Sequence, residues 1–133
     1  MALVLDASVA AAWYLADVSS PLAEAALERL GSESGLAPTL FWYEIRNLLI
    51  SQERRGRIGG AQIARALANL SALRIRFELP DEDSLLALAR THRLTVYAAS
   101  YLSLALSGRL PLATLDRDLA AAARRAGVAL LAA

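Results

Sequence analysis

Residues 3–9 read Leu-Val-Leu-Asp-Ala-Ser-Val, and the break inside this stretch decides the architecture. Leu3–Leu5 is a short buried strand, Asp6 ends it, and Ser8 can cap a helix from Val9 to about Ala16. A strand that runs straight into a helix opens a parallel α/β unit, because parallel strands need a long crossover to return. The same grammar recurs downstream. Ser20-Pro21 starts a helix and Gly31 lies just past its end. Leu36–Pro38 is a second strand, and Thr39 can cap a helix to about Arg55. RRGRIGG (residues 54–60) is a break before a helix over residues 61–73. Ile75–Phe77 is a third strand. Pro80-Asp81-Glu82 opens a helix to near Arg90, its acidic first turn matching the helix dipole. Leu94–Val96 and Leu112–Thr114 are strands each followed by a helix, and Val128–Leu131 is a candidate edge strand.

One domain, residues 1–133, accounts for this length and can bury a core without staples. The chain is 56% apolar, yet it has no uncharged apolar run of roughly 18 residues, so a membrane role is not expected. Asp6 and the lack of a basic leader make the N-terminal stretch a buried strand rather than a signal peptide. The absence of cysteine excludes disulfides and thiolate metal sites, and fits a cytoplasmic protein. A net charge of +1 carries no global nucleic-acid signal. All 14 basic residues are Arg, which excludes lysine chemistry such as a Schiff base or a P-loop. The guanidinium fork suits phosphate, although Ala- and Arg-rich, Lys-free composition also follows from GC-rich coding.

In open parallel sheets the chemistry gathers beyond the carboxyl ends of the strands. Asp6 lies at such an end, with Ser8 two residues on. LATLDRDL (residues 112–119) places Thr114, Asp116 and Asp118 at another. Glu44 lies within FWYEIRNLLI (residues 41–50), an otherwise largely apolar helix, with Asn47 one turn on. A carboxylate there needs a proton, an Arg or a metal ion. Each acid alone reads as a cap, a turn residue or half of a distant ion pair. Several gathered at one rim repel one another unless a cation joins them. The single His92 reads as a linker residue, not a general base. Arg46, Arg54, Arg55 and Arg57 form either an RNA-phosphate rim or a solvated face. Trp13 and Trp42 are large enough to anchor an interface, or simply to pack. In LTVYAASYLSLALSG (residues 94–108) a strand-to-helix junction carries Tyr97, Ala98 and Ala99, where a capping residue is expected.

Taken together, LVLDASV, the Glu44-Ile-Arg-Asn47 helix, LTVYxASYLSLA and LATLDRDL resemble the PIN-domain ribonucleases along essentially the whole chain. The nearest branch is the VapC-type toxins of bacterial toxin–antitoxin pairs. The resemblance implies a three-layer α/β/α PIN domain around a central parallel sheet of about four to five strands. It implies Mg²⁺ or Mn²⁺ held by Asp6, Glu44 and Asp116, with Asp118 as a further acid and Ser8, Asn47 and Thr114 as supporting polar groups. Endonucleolytic hydrolysis of RNA would follow, with neutralisation by a cognate VapB-type antitoxin. A homodimer, antitoxin contacts near Trp13 and Trp42, and DNA contact only through the antitoxin are also implied.

One position departs from the pattern. The family carries Asp, both helix cap and metal ligand, where this chain has Ala98. Our reading is an introduced, inactivating replacement in an otherwise intact enzyme. The alternative is a naturally dead PIN-like module acting through RNA or protein association. A phosphotransfer receiver fails for want of paired acids and a Lys. A haloacid-dehalogenase-like phosphatase fails at Asp6-Ala7-Ser8, which is not Asp-x-Asp.

Overall fold

Strand β1 (Ala2–Leu5) lies in the middle of the sheet. In the computed structural model, which describes residues 2–15 and 20–132, β1 pairs in parallel with β2 (Ser34–Pro38). β3 (Ile75–Glu78) extends the sheet beyond β2, and β4 (Leu112–Ala113) pairs with the other side of β1. The order is therefore β3-β2-β1-β4, all parallel. Leu3, Val4, Leu5 and Leu112 are wholly buried, as a strand covered on both faces requires.

Seven helices flank the sheet among the described residues: α1 (Ala7–Ala12), α2 (Pro21–Leu30), α3 (Leu40–Arg54), α4 (Gly60–Ala72), α5 (Glu82–His92), α6 (Val96–Gly108) and α7 (Arg117–Ala126). The connections carry α1–α4 over one face while the chain steps from β1 to β3. The return from β3 to β4 carries α5 and α6 over the other face, where α7 joins them. α6 rests on β1, β2 and β4 and is itself covered by α5 and α7. Its apolar residues accordingly run all round the helix, and Ala99–Ala105 are buried without a break.

Several local expectations are corrected. Leu94–Val96 is not a strand. Thr95 is extended and its Oγ1 accepts the Ala98 N–H at 3.1 Å, so Thr95 caps α6 and position 98 is the third helical residue. Val96 and Tyr97 are exposed there, so burial never favours a sheet position for this apolar run. The helix therefore has its cap, and Ala98 does not remove one. Ser8 is not a cap either: α1 begins at Ala7, and the Ser8 hydroxyl is committed elsewhere. The expected end of that helix, Ala16, lies outside the described residues. Thr39 is itself helical and its side chain makes no capping bond. His92 ends α5 instead of lying in a linker. Beyond α7, Leu130 forms one parallel bridge to Leu112 in place of an edge strand over Val128–Leu131.

Candidate functional site

The sheet reverses its direction of growth between β1 and β4, and such a switch point opens a crevice at the strand carboxyl ends. Asp6 follows β1 and Asp116 follows β4, so the two acids straddle it. Glu44 enters from α3. Asp6, Ser8, Glu44, Asn47 and Asp116, with Ala7, Ala11 and Leu48, line one cleft of about 430 Å³.

The polar contacts around this cleft are asymmetric. Asp6 Oδ2 accepts both the Ser8 hydroxyl and the Thr114 hydroxyl, each at 2.7 Å. Ser8 Oγ in turn accepts the Leu115 N–H at 3.1 Å, and Thr114 Oγ1 accepts the Asp116 N–H at 3.0 Å. Asp116 Oδ1 caps α7 through the N–H groups of Asp118 and Leu119, at 2.9 and 3.2 Å. Glu44 Oε1 accepts the Tyr101 hydroxyl, reaching across from α6. Among the described residues, then, each acid has one oxygen engaged by protein donors. Glu44 Oε2 and Asp116 Oδ2 accept no hydrogen bond from the described residues, and the Ala7 backbone N–H also acts on the Asp6 carboxyl.

Burial pushes the Asp6 carboxyl above its ordinary range; the Ser8 and Thr114 hydroxyls oppose that and the Asp116 charge adds to it. Burial likewise raises Glu44, opposed by the Tyr101 phenol and reinforced by the Asp6 charge. Neither acid has an Arg partner among the described residues. Asp6 and Glu44, each disfavoured in its ionised form by burial and by a neighbouring carboxylate, share the cleft with Asp116, and such a set suits a hard cation with oxygen ligands. Among the described residues no three acids converge as a ready ligand cage.

The other expected residues separate. Asp118 is exposed in the first turn of α7 and does not line the cleft. Ala98 is half-buried one helical turn before Tyr101 and contributes no oxygen. Arg46 lies 3.6 Å over the Trp42 ring and donates to the Trp42 carbonyl at 2.9 Å. Arg54, Arg55 and Arg57 are exposed beyond the cleft, around the end of α3. Trp42 is 45% exposed, whereas the Trp13 indole N–H is spent on the Ala23 carbonyl at 2.7 Å. Sequence reasoning missed Tyr101. Its one signal was a phenol in the middle of a largely apolar helical stretch.

The PIN domain family matches residues 3–125. Ribonuclease VapC3 of Pyrobaculum aerophilum is 36% identical over 124 residues, which are 90% of this chain and 93% of that protein. The crystal structure of PAE2754 from Pyrobaculum aerophilum aligns with a TM-score of 0.69 at 33% identity, covering 92% of this chain and 87% of the other. With the parallel sheet and the acid-lined switch point already in place, these matches mean that the chain belongs to the PIN-domain family, on its VapC-type branch.

Proposed function

We propose that this chain is a VapC-type toxin, a divalent-metal-dependent endoribonuclease weakened at position 98. The observation that carries the reading is the one cleft that Asp6, Glu44 and Asp116 line together, with Glu44 Oε2 and Asp116 Oδ2 accepting no hydrogen bond from the described residues. Asp6, Glu44 and Asp116 would hold Mg²⁺ or Mn²⁺. When bound, that ion supplies Lewis-acid charge neutralisation at phosphate and a nucleophilic water at neutral pH. Ser8 and Thr114 fix the rotamer of Asp6, and Asp116 is fixed by the start of α7. Asn47 lines the same cleft and offers an amide to a phosphate or a water. Arg46, Arg54, Arg55 and Arg57 are the cations available to flanking phosphates. The reaction is hydrolysis of an RNA phosphodiester, carried out in the cytoplasm.

A trough runs on from the acids. Asn47 is shared with a cleft of about 580 Å³ lined by Tyr43, Arg46, Ile50 and Ile63. Arg46 is shared in turn with a groove between α3 and α4 holding Trp42, Leu67 and Phe77. Its largely apolar lining favours an amphipathic peptide over nucleic acid. We assign it to a VapB-type antitoxin, with a basic side chain directed at the acids and DNA contact left to the antitoxin. A homodimer of the toxin belongs to the same reading. Trp42, exposed in this trough, is the better anchor; Trp13 is already committed within the fold.

A second reading, a catalytically dead binding module, is favoured by Ala98 and by the spread of the acids. RNA cleavage in Mn²⁺ by this chain beside Ala98→Asp decides between the two. A gain of about 10²-fold or more in the revertant identifies a disabled nuclease. A revertant that cuts no RNA, structured or single-stranded, identifies the binding module.

A further inference from the structure

We infer that Tyr101 is a positioning residue for Glu44, holding that carboxylate in the geometry that takes up a divalent cation; this rests on the metal-site reading above. Glu44 is half-buried in the middle of α3 and has no cationic partner among the described residues. Its side chain has three rotatable torsions, and among the described residues its one hydrogen-bond donor is the Tyr101 hydroxyl, 57 residues away in sequence. Tyr101 is 1% exposed and lies in the most enclosed helix of the fold. Its ring cannot swing without displacing core atoms. A rigid phenol that donates to Oε1 leaves Oε2 as the oxygen available to the cleft.

The link also crosses the sheet. α3 and α6 belong to opposite helical layers, and Tyr101 is the only α6 side chain among the described residues that hydrogen-bonds to the acid cluster. The Asp6 charge is felt by the same phenol. With Ala at position 98, α6 thus still reaches the site, one turn further along and through another residue's carboxylate. Outer contacts of this kind set ligand orientation and hence metal affinity.

Calorimetric Mn²⁺ titration tests the inference, run on the chain as it stands and on Ala98→Asp. Tyr101→Phe, which keeps the ring, is expected to weaken Mn²⁺ binding by about 10- to 100-fold. Glu44→Gln should weaken it as well, and the double variant should be no worse than Glu44→Gln alone, since Tyr101 acts through Glu44. Unchanged affinity in Tyr101→Phe with a loss in Glu44→Gln would overturn the positioning role and leave the metal site standing. Losses that simply add point to general damage and also overturn it. No loss in either variant removes Glu44 from the site and the inference with it. One measurement needs no substitution: among the 4 tyrosines, paramagnetic Mn²⁺ should broaden the Tyr101 ring resonances ahead of those of Tyr14 and Tyr97. Sharp Tyr101 signals at saturating Mn²⁺ would contradict it.

Discussion

The Thr114 hydroxyl donates to Asp6 Oδ2 at 2.7 Å, joining two residues 108 positions apart. Thr114 Oγ1 also accepts the Asp116 N–H, so one buried hydroxyl ties both strand-end acids together. Thr114→Val keeps the shape, removes a bond to a carboxylate and leaves the Asp116 N–H without its acceptor. The expected loss is about 1–3 kcal/mol in denaturant unfolding. Thr114→Ser should recover most of it.

Thr95, not position 98, caps α6. Thr95→Ala should therefore cost about 0.5–2 kcal/mol, measured by thermal or urea unfolding without metal. A cap at position 98 would instead make Thr95→Ala silent.

Ala98→Asp puts a carboxylate at the third residue of α6, a favourable place for negative charge on a helix. It also adds repulsion toward Asp6, Glu44 and Asp116. These effects oppose each other, so the metal-free melting temperature should change little. With Mn²⁺ present, the Ala98→Asp protein should show the larger upward shift, because a ligand that binds only the folded state stabilises it in proportion to its affinity. Equal shifts in the two proteins would remove position 98 from the metal site.

The raised values of Asp6 and Glu44 set the sign of the pH dependence. An acid whose folded value lies above its unfolded one contributes stability that is complete below the ordinary carboxylate range. That stability is lost as pH rises through the folded value. Asp6→Asn can still accept from Ser8 and Thr114 but carries no charge. In chelator, its melting temperature should gain on that of the parent as pH rises from acid toward neutrality. Saturating Mn²⁺ should narrow the gap. A gap that is flat with pH would show that Asp6 is not strained by its burial.

Much of this was legible from residue types alone. Leu3–Leu5 followed by Asp6, and Ser20-Pro21 with Gly31 beyond, gave a strand and a helix where the structure has them, because apolar runs and capping residues act locally. Asp6 and Asp116 could be placed at one rim because a parallel sheet delivers every strand end to the same side. The start of α6 was hidden by Ala98. Thr95 followed three residues later by an acid would have announced a helix; Thr95 followed by Ala98 left Leu-Thr-Val-Tyr open to reading as a strand. Ser8 misled because its hydroxyl has a long-range use, toward Leu115. The Tyr101–Glu44 contact lay beyond local pattern altogether, since nothing near residue 101 says which acid will face it.

The β1–β4 pairing has a consequence for when such a protein becomes dangerous to its own cell. Asp6 leaves the ribosome well before Asp116, which cannot stand beside it until β4 has docked against β1. A nascent polypeptide still lacking its last strand therefore carries two of the three acids and no closed crevice. Translation itself would therefore hold back the hazard until the final strand has emerged and found its place.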